Sequence, residues 1–117
     1  MKELILAIAM IESSMNPLAI GDNGDSVGLL QISEPCLQDV NNYRDRNYTS
    51  EDRKDPQKSI EIFVLYIDIW LPKAKEEGAS MYQSDEEIIS RIWNGGPKGW
   101  NKSATKIYWD KVRKELE

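Results

Sequence analysis

The stretch that decides the fold reads ESSMNPLAIGDNGDSVGLLQI and spans residues 12 to 32. An unbroken apolar run, Leu4 to Ile11, leads into it and predicts a helix over Lys2 to Ser14. Pro17 limits that helix, because proline disfavours the helical conformation in the residue before it. The sequence therefore places one carboxylic acid, Glu12, at the C-terminal end of a mostly apolar helix.

This position suits an acid that works in its protonated form. The last turn of a helix carries unpaired carbonyls with partial negative charge, and apolar neighbours desolvate a carboxylate, so both effects disfavour ionised Glu12. A protonated carboxyl can donate its proton to a leaving oxygen, which is what cleavage of a glycosidic bond requires. Taken alone, a solvated glutamate at a helix end is the commoner situation.

Four separated motifs carry a resemblance to a known family. Glu12-Ser13 is followed by Asn-Pro-Leu-Ala and then, after a Gly-rich turn, by Gly-Leu-Leu-Gln-Ile; Ile92 to Pro97 and Thr105 to Val112 come later. In this order the motifs resemble the soluble lytic transglycosylase (SLT) domain, a relative of goose-type lysozymes. Leu30 stands where Met is usual, and Trp93 replaces a tyrosine. The resemblance implies a single, mainly α, lysozyme-like domain over residues 1–117.

The resemblance also implies an activity, the cleavage of the β-1,4 bond between N-acetylmuramic acid and N-acetylglucosamine in peptidoglycan. In lytic transglycosylases the glutamate matching Glu12 acts first as acid and then as base, and the product ends in 1,6-anhydro-muramic acid. A hydrolytic, goose-type-like lysozyme is the alternative; it needs a second carboxylate to position water, for which Asp22 and Asp25 are the candidates. A glycan-binding or structural module of a phage particle or secretion apparatus, without catalysis, is the third reading.

Candidate substrate-binding residues follow from the same motifs. Ser13 either orients Glu12 or helps to end the helix, and Trp100, which lies among Gly and Lys residues, is the best aromatic candidate for a sugar-binding platform. The full set is Ser13, Ser26, Gln31, Trp93, Asn94, Gly95, Trp100 and Tyr108. For three of these residues a structural role without substrate contact stays open. Gln31 would then bond only backbone groups, Asn94 would only end a helix, and Tyr108 would belong to the core.

Composition excludes several function classes. The 117 residues contain no histidine, so Ser-His and Cys-His catalysis are excluded, and we expect no metal or cofactor. The only cysteine, Cys36, has no disulfide partner and is expected to be a buried thiol. The net charge of −5 argues against nucleic-acid binding, although residues 98 to 117 hold six Lys or Arg against three Asp or Glu. The expected partner is the peptidoglycan glycan strand, bound by a monomer.

The N-terminus imitates a secretion signal, since Lys2 precedes an apolar run. That run continues directly into Glu12, so we expect it to belong to the domain, and its eight residues are too few to span a bilayer. The protein is expected to act on the cell wall in the periplasm. Phage delivery, release by a holin, or origin as a trimmed piece of a periplasmic protein are the routes that the sequence leaves open.

Capping and breaking residues predict the remaining elements. Asp55-Pro56 opens the longest helix, which is apolar nearly all round and is expected to be the central buried helix, ended by Pro72. Residues 43 to 55 are dense in charge and predict a surface loop. The other predicted elements are a β-hairpin within Ala19 to Ile32, a helix from Ser33 or Glu34 to about Asn42, a helix with a capping box from Ser84, and a last helix from Ser103 to Leu116.

Overall fold

The computed structural model describes all 117 residues, Met1 to Glu117. It contains five α-helices and one two-stranded antiparallel sheet, which confirms the predicted mainly α fold with a small β-hairpin. The elements are, in chain order, α1 (Lys2–Ser13), β1 (Ile20–Gly21), β2 (Ser26–Val27), α2 (Glu34–Arg44), α3 (Pro56–Glu76), α4 (Asp85–Gly95) and α5 (Ala104–Leu116). Short 3₁₀ helices lie at Asp22–Gly24, Ser50–Lys54, Ala79–Met81 and Gly99–Asn101.

The chain divides into two compact units, Met1–Tyr66 and Ile67–Glu117. The boundary falls inside α3, so each unit contains part of that helix. A single domain over residues 1–117 stays a prediction. No helix combines the length and the apolar character that a membrane crossing demands.

In the first unit, α1 ends one residue before the predicted boundary. Ser14 takes the left-handed conformation, with φ of 53°; its N–H donates to the Met10 carbonyl at 3.0 Å, and the Met15 N–H donates to the Ala9 carbonyl at 3.4 Å. This is the usual way in which a helix end satisfies its last carbonyls. Leu6 and Met10 are exposed, so the burial of α1 is one-sided although its exposed face also carries apolar side chains. Its buried side consists of Leu4, Ile5, Ala7, Ile8 and Ala9.

The hairpin segment, residues 19 to 32, follows α1. In the register, Ile20 pairs with Val27, and a 3₁₀ turn at Asp22–Gly24 joins the strands. Val27 and Ile32 then exchange backbone hydrogen bonds of 3.1 and 3.0 Å, which folds the end of the segment back on its second strand. The predicted hairpin is confirmed, and every residue from Ser26 to Leu30 is buried.

The stretch between α2 and α3 is mostly exposed, as its charge predicts, but it contains one helical turn. A capping box, in which Thr49 and Asp52 bond each other's backbone, starts the 3₁₀ helix Ser50–Lys54. Arg53 within it is only 5% exposed. The prediction of a surface loop is wrong at Arg53, because a charged side chain can be buried when backbone carbonyls satisfy its donors.

Helix α3 begins as predicted, with the Asp55 carboxylate accepting from the Lys58 N–H at 3.1 Å. Its burial is one-sided: Ile60 and Val64 are exposed, whereas the opposite face is covered. The buried residues near its middle are Ile62, Phe63, Tyr66 and Ile67.

The prediction that Pro72 ends this helix is wrong, because α3 continues to Glu76. A proline removes one hydrogen-bond donor and crowds the preceding turn, which bends a helix without always stopping it. The four residues that follow Pro72 are lysine, alanine, lysine and glutamate, all strong helix formers. Ala74 among them is fully buried, so packing also holds the last turn.

In the second unit, α4 packs against α5 and the 3₁₀ turn Gly99–Asn101. Ser84 caps α4 as predicted, with its hydroxyl accepting from the Glu87 N–H at 3.2 Å. In a full capping box the Glu87 carboxylate would accept from the Ser84 N–H, whereas here it pairs with Arg91 at 2.8 Å. The buried residues of these two helices include Ile88, Ile89, Ile92, Tyr108, Trp109 and Val112.

Cys36 in α2 is buried, as predicted, and gives a testable pH dependence. Burial raises the pKa of its thiol far above the ordinary value, and the Asp39 carboxylate adds to the rise. Above about pH 8.5 an unfolded thiol loses its proton while the folded one keeps it, so the free energy of unfolding falls as pH rises, by up to about 1.4 kcal/mol per pH unit. Urea unfolding between pH 8 and 10 measures this fall.

The matched control for that experiment is Cys36→Ala, which lacks the thiol. The difference in unfolding free energy between the two proteins should shrink as pH rises. Burial raises the pKa of the neighbouring Tyr66 phenol too, so both proteins should lose stability further above about pH 10. A difference that stays constant from pH 8 to 10 would contradict a buried, protonated thiol.

Candidate active site

Glu12 is the penultimate residue of α1, and its side chain is half-buried. The adjacent Ser13 joins this helix end to the hairpin segment, because its hydroxyl lies 2.7 Å from the Leu29 carbonyl and can donate to it. The same oxygen accepts from the Asn16 N–H at 3.1 Å. Ser13 therefore both terminates the helix and fixes the loop beside Glu12. Its predicted contact with substrate stays a prediction.

Gln31 braces the hairpin segment from inside. Its Nε2 donates to the carbonyls of Ala19 at 3.1 Å and Gly28 at 3.0 Å, so both amide hydrogens have backbone partners. A Cβ on Gly21 would lie 2.4 Å from the Gln31 Oε1, and glycine at that position leaves room for the amide. The donor side of Gln31 thus follows the backbone-bonding alternative, and a contact of its Oε1 with a sugar stays a prediction.

The turn of the hairpin carries both candidate second carboxylates. Asp22 and Asp25 are exposed, and Asp22 adopts a left-handed conformation with φ of 51°. The Asp22 Oδ2 accepts from the buried Ser26 hydroxyl at 2.7 Å. Ser26 therefore uses its proton inside the protein, and a bound sugar would meet only its oxygen. No group of three or more acidic or sulfur ligands is close enough to hold a metal ion.

Arg53 is a residue of this region that the sequence reasoning missed. Its Nη1 donates to the carbonyls of Asp25 and Ile32, each at 2.9 Å. The pattern Thr49-x-x-Asp52 before it is a capping-box signal, and it indicates that this charged stretch is ordered. The sequence has no signal for the two carbonyls, which lie 28 and 21 residues away in the chain.

In the second unit, Asn94 and Gly95 end α4, and Asn94 is exposed. A Cβ on Gly95 would lie 2.5 Å from the Thr105 Cγ2, so the glycine is needed for packing within the unit. The Gly95 carbonyl accepts from the Lys102 Nζ at 2.8 Å. The close approach of this backbone to a sugar stays a prediction.

A buried polar network lies under that turn. Arg91 is 8% exposed, and its Nε donates to the Thr105 hydroxyl at 2.9 Å. Its two terminal nitrogens donate to the Glu87 carboxylate and the Lys102 carbonyl, both at 2.8 Å. The Thr105 hydroxyl lies 2.7 Å from the Gly99 carbonyl. The network thus joins α4, the 3₁₀ turn and the start of α5.

The three aromatic candidates of this unit differ in exposure. Trp93 and Trp100 are each half-buried. The indole N–H of Trp100 is buried without a hydrogen-bond partner, while its carbonyl accepts from the Gln83 amide at 2.8 Å. Tyr108 is buried, with 9% exposed, in agreement with the core alternative. Their contacts with substrate stay predictions.

Comparison with known proteins places these features in a family. Residues 1–107 match the family model of the transglycosylase SLT domain. Among solved structures, the lysozyme of Tapes japonica is similar, with a TM-score of 0.79, 23% sequence identity, and coverage of 97% of this chain and 89% of that chain. This likeness confirms the predicted lysozyme-like fold. No curated protein sequence matches the chain. Since the family model covers nearly all of it, the chain belongs to the transglycosylase SLT domain family.

Proposed function

We propose that this protein cleaves the β-1,4 bond between N-acetylmuramic acid and N-acetylglucosamine in peptidoglycan, as a lytic transglycosylase. The observation that carries the proposal is Glu12 in the last turn of α1, half-buried, with Ser13 bonding the Leu29 carbonyl beside it. Membership of the SLT family supports the same substrate and the same residue. The site of action is then the cell wall, in the periplasm.

In the proposed reaction Glu12 serves twice. Its protonated carboxyl first donates a proton to the glycosidic oxygen as the bond from that oxygen to the muramic acid C1 breaks. The resulting carboxylate then removes the proton of the sugar's own 6-hydroxyl, whose oxygen forms the new bond to C1. Glu12 regains its proton, no water is consumed, and the product carries a 1,6-anhydro end. One carboxyl group is enough for this cycle.

The remaining residues bind and orient the glycan. Gln31 presents its Oε1 to an N–H or hydroxyl of the sugar, because its Nε2 is held by backbone carbonyls. The exposed Asn94 offers a donor and an acceptor to the sugar next to the scissile bond. The half-buried Trp93 and Trp100 stack on sugar faces. These last roles rest on the resemblance to the family.

The two aspartates of the hairpin distinguish this reaction from hydrolysis. Asp22→Asn keeps an acceptor for Ser26, and Asp25→Asn changes only an exposed side chain, so each variant should retain cleavage within about threefold. A hydrolase that uses either carboxylate as general base should instead lose about 10²-fold to 10⁴-fold with that variant. Rates of dye release from labelled peptidoglycan decide between the two. A loss of 10²-fold with one variant and not the other would identify the base and overturn the single-carboxyl scheme.

The substrate itself is tested by offering alternatives to the same enzyme. Labelled peptidoglycan should release dye, whereas chitin oligosaccharides, which lack the muramic acid lactyl group, should be cleaved far more slowly. Release from neither substrate, with binding to both retained, would favour the glycan-binding module. Faster cleavage of chitin would overturn the proposed substrate while leaving glycosidic cleavage intact.

A further inference from the structure

Arg53 is the most deeply buried charged side chain in the first unit, and it lies under the hairpin segment. Its Nη1 donates to the carbonyls of Asp25 and Ile32 at 2.9 Å each, and its Nε donates to the Ser50 carbonyl at 3.1 Å. These hydrogen bonds all end on backbone oxygens. One guanidinium therefore joins two points of the hairpin segment to the 3₁₀ helix Ser50–Lys54.

The two points have a specific relation to the candidate site. Asp25 immediately precedes Ser26, and Ile32 immediately follows Gln31, so the bonded carbonyls bracket the part of the segment that carries both candidate sugar ligands. A single nitrogen that bonds both carbonyls fixes the distance between them. The conformation of residues 25 to 32 is thus set from both ends by one side chain.

The main chain of Arg53 supports the same segment. A Cβ on Gly28 would lie 1.9 Å from the Arg53 carbonyl oxygen, so the glycine backbone rests directly on it. That oxygen also accepts from the buried Ser59 hydroxyl at 2.8 Å, which holds it in place. Gly28 adopts φ of 92°, a region that favours glycine. The backbone and the side chain of Arg53 therefore both support residues 25 to 32.

One more hydrogen bond connects residues 25 to 32 to α1, the helix that carries Glu12. Leu29 belongs to the bracketed part, and its carbonyl lies 2.7 Å from the Ser13 hydroxyl. Ser13 follows Glu12 in α1. A shift of residues 25 to 32 would therefore displace Ser26 and Gln31. It would also change the contact between Leu29 and Ser13, which lies next to Glu12.

We propose that Arg53 is a positioning residue, which holds residues 25 to 32 in the conformation that binds the glycan. Arginine suits this task because its planar fork donates in several fixed directions, whereas a lysine ammonium donates from one point and a neutral apolar side chain donates nothing. Without the guanidinium, residues 25 to 32 can adopt several conformations, and only a fraction of the molecules then has the conformation that binds glycan. Apparent affinity falls by that fraction. The inference rests on the proposed function in that the bound ligand is glycan.

The test compares Arg53→Gln and Arg53→Lys with wild type and with Arg46→Gln as matched control. Arg46 is exposed and lies outside the site, so its variant should behave as wild type. If about a tenth of the Arg53→Gln molecules are binding-competent, we expect this variant to raise KM for peptidoglycan roughly tenfold, with kcat within about twofold of wild type. The KM of Arg53→Lys should lie between those of wild type and Arg53→Gln. A role limited to global stability would lower the amount of active enzyme and leave KM unchanged.

Amide hydrogen exchange keeps the proposal testable if the kinetics fail. In the folded Arg53 variants the amides of Val27 and Ile32, which bond each other's carbonyls, should exchange faster by about tenfold or more than in Arg46→Gln. The amide of Val112 in the second unit serves as the reference and should not change. Arg53→Lys supplies this measurement if Arg53→Gln does not fold.

The outcomes separate the two proposals. An unchanged KM in an active Arg53 variant would overturn the positioning role of Arg53 in glycan binding, and so would unchanged exchange at Val27 and Ile32. If the wild-type protein releases no muropeptide, the proposed function is overturned. Faster exchange at these amides in the Arg53 variants would then still show that Arg53 holds the hairpin segment. A fall in kcat at constant KM would show that Arg53 acts on the chemical step rather than on binding, against the proposal.

Discussion

Glu12→Gln is expected to lower the rate of peptidoglycan cleavage by about 10³-fold or more, since general acid–base catalysis contributes about 10² to 10⁴ and Glu12 is proposed to act in both steps. The glutamine side chain has the same shape and still accepts hydrogen bonds, but it cannot release a proton to the leaving oxygen. Glycan affinity should therefore stay within about threefold of wild type. Dye release measures the rate, and calorimetry with undigested glycan fragments measures the affinity.

Glu3→Gln is the matched control, because Glu3 is an exposed glutamate in the first turn of the same helix. It should keep wild-type activity. Residual cleavage above a tenth of wild type in Glu12→Gln would assign the acid to another residue. Equal losses of activity and affinity would mean that Glu12 binds glycan rather than transferring protons.

Arg91→Met is expected to have the largest effect on stability, lowering the free energy of unfolding by about 3 to 5 kcal/mol. Methionine fills the space of the aliphatic stem but removes the donors for Thr105, Lys102 and Glu87. The Glu87 carboxylate, with a side chain only 14% exposed, then loses its cationic partner. Urea unfolding followed by circular dichroism measures the change.

Arg113→Met provides the comparison for that experiment. Arg113 is exposed and pairs with Asp110 at 3.5 Å, so its removal should cost at most about 1 kcal/mol. A cost below about 1 kcal/mol for Arg91→Met would mean that the network under the α4 turn contributes little. The larger loss should also be visible as faster hydrogen exchange at the N-terminal end of α5.

The sequence was sufficient to predict the helix end at Glu12 because local signals determine it. An apolar run, a proline five residues after Glu12 and a Gly-rich turn act within a few residues of each other. The hairpin and the Ser33 cap of α2 follow from equally local chemistry, and the Ser33 hydroxyl accepts from the Cys36 N–H as expected. Such features depend on neighbours in the chain rather than on tertiary packing.

The features that sequence reasoning missed depend on distant partners. Arg53 is buried because carbonyls far along the chain accept from it, and nothing near residue 53 indicates this. Ile60 and Val64 are exposed because no other part of the chain covers them, although their hydrophobicity resembles that of their buried neighbours. Burial of Ala74 adds to the helix-forming residues after Pro72 in continuing α3. Tertiary contacts contribute to each of these cases, and periodicity does not report them.

The candidate site divides in the same way. The sequence and its resemblance to the family nominated Glu12, Gln31 and Asn94, but they did not separate the atoms that hold the loop from those free for a sugar. That distinction came from geometry: Gln31 donates to two carbonyls, and Ser26 donates to Asp22. Residue type and order identify a site of this kind, whereas hydrogen-bond partners determine which atoms remain for the substrate.

Mass spectrometry of the muropeptides released from purified peptidoglycan, with Glu12→Gln in parallel, tests the proposed reaction. We expect products that end in 1,6-anhydro-muramic acid, lighter by one water than their hydrolysed counterparts and absent with Glu12→Gln. Reducing-end muropeptides with the same dependence on Glu12 would contradict it, because they would show that water attacks C1 and that this domain is a hydrolase.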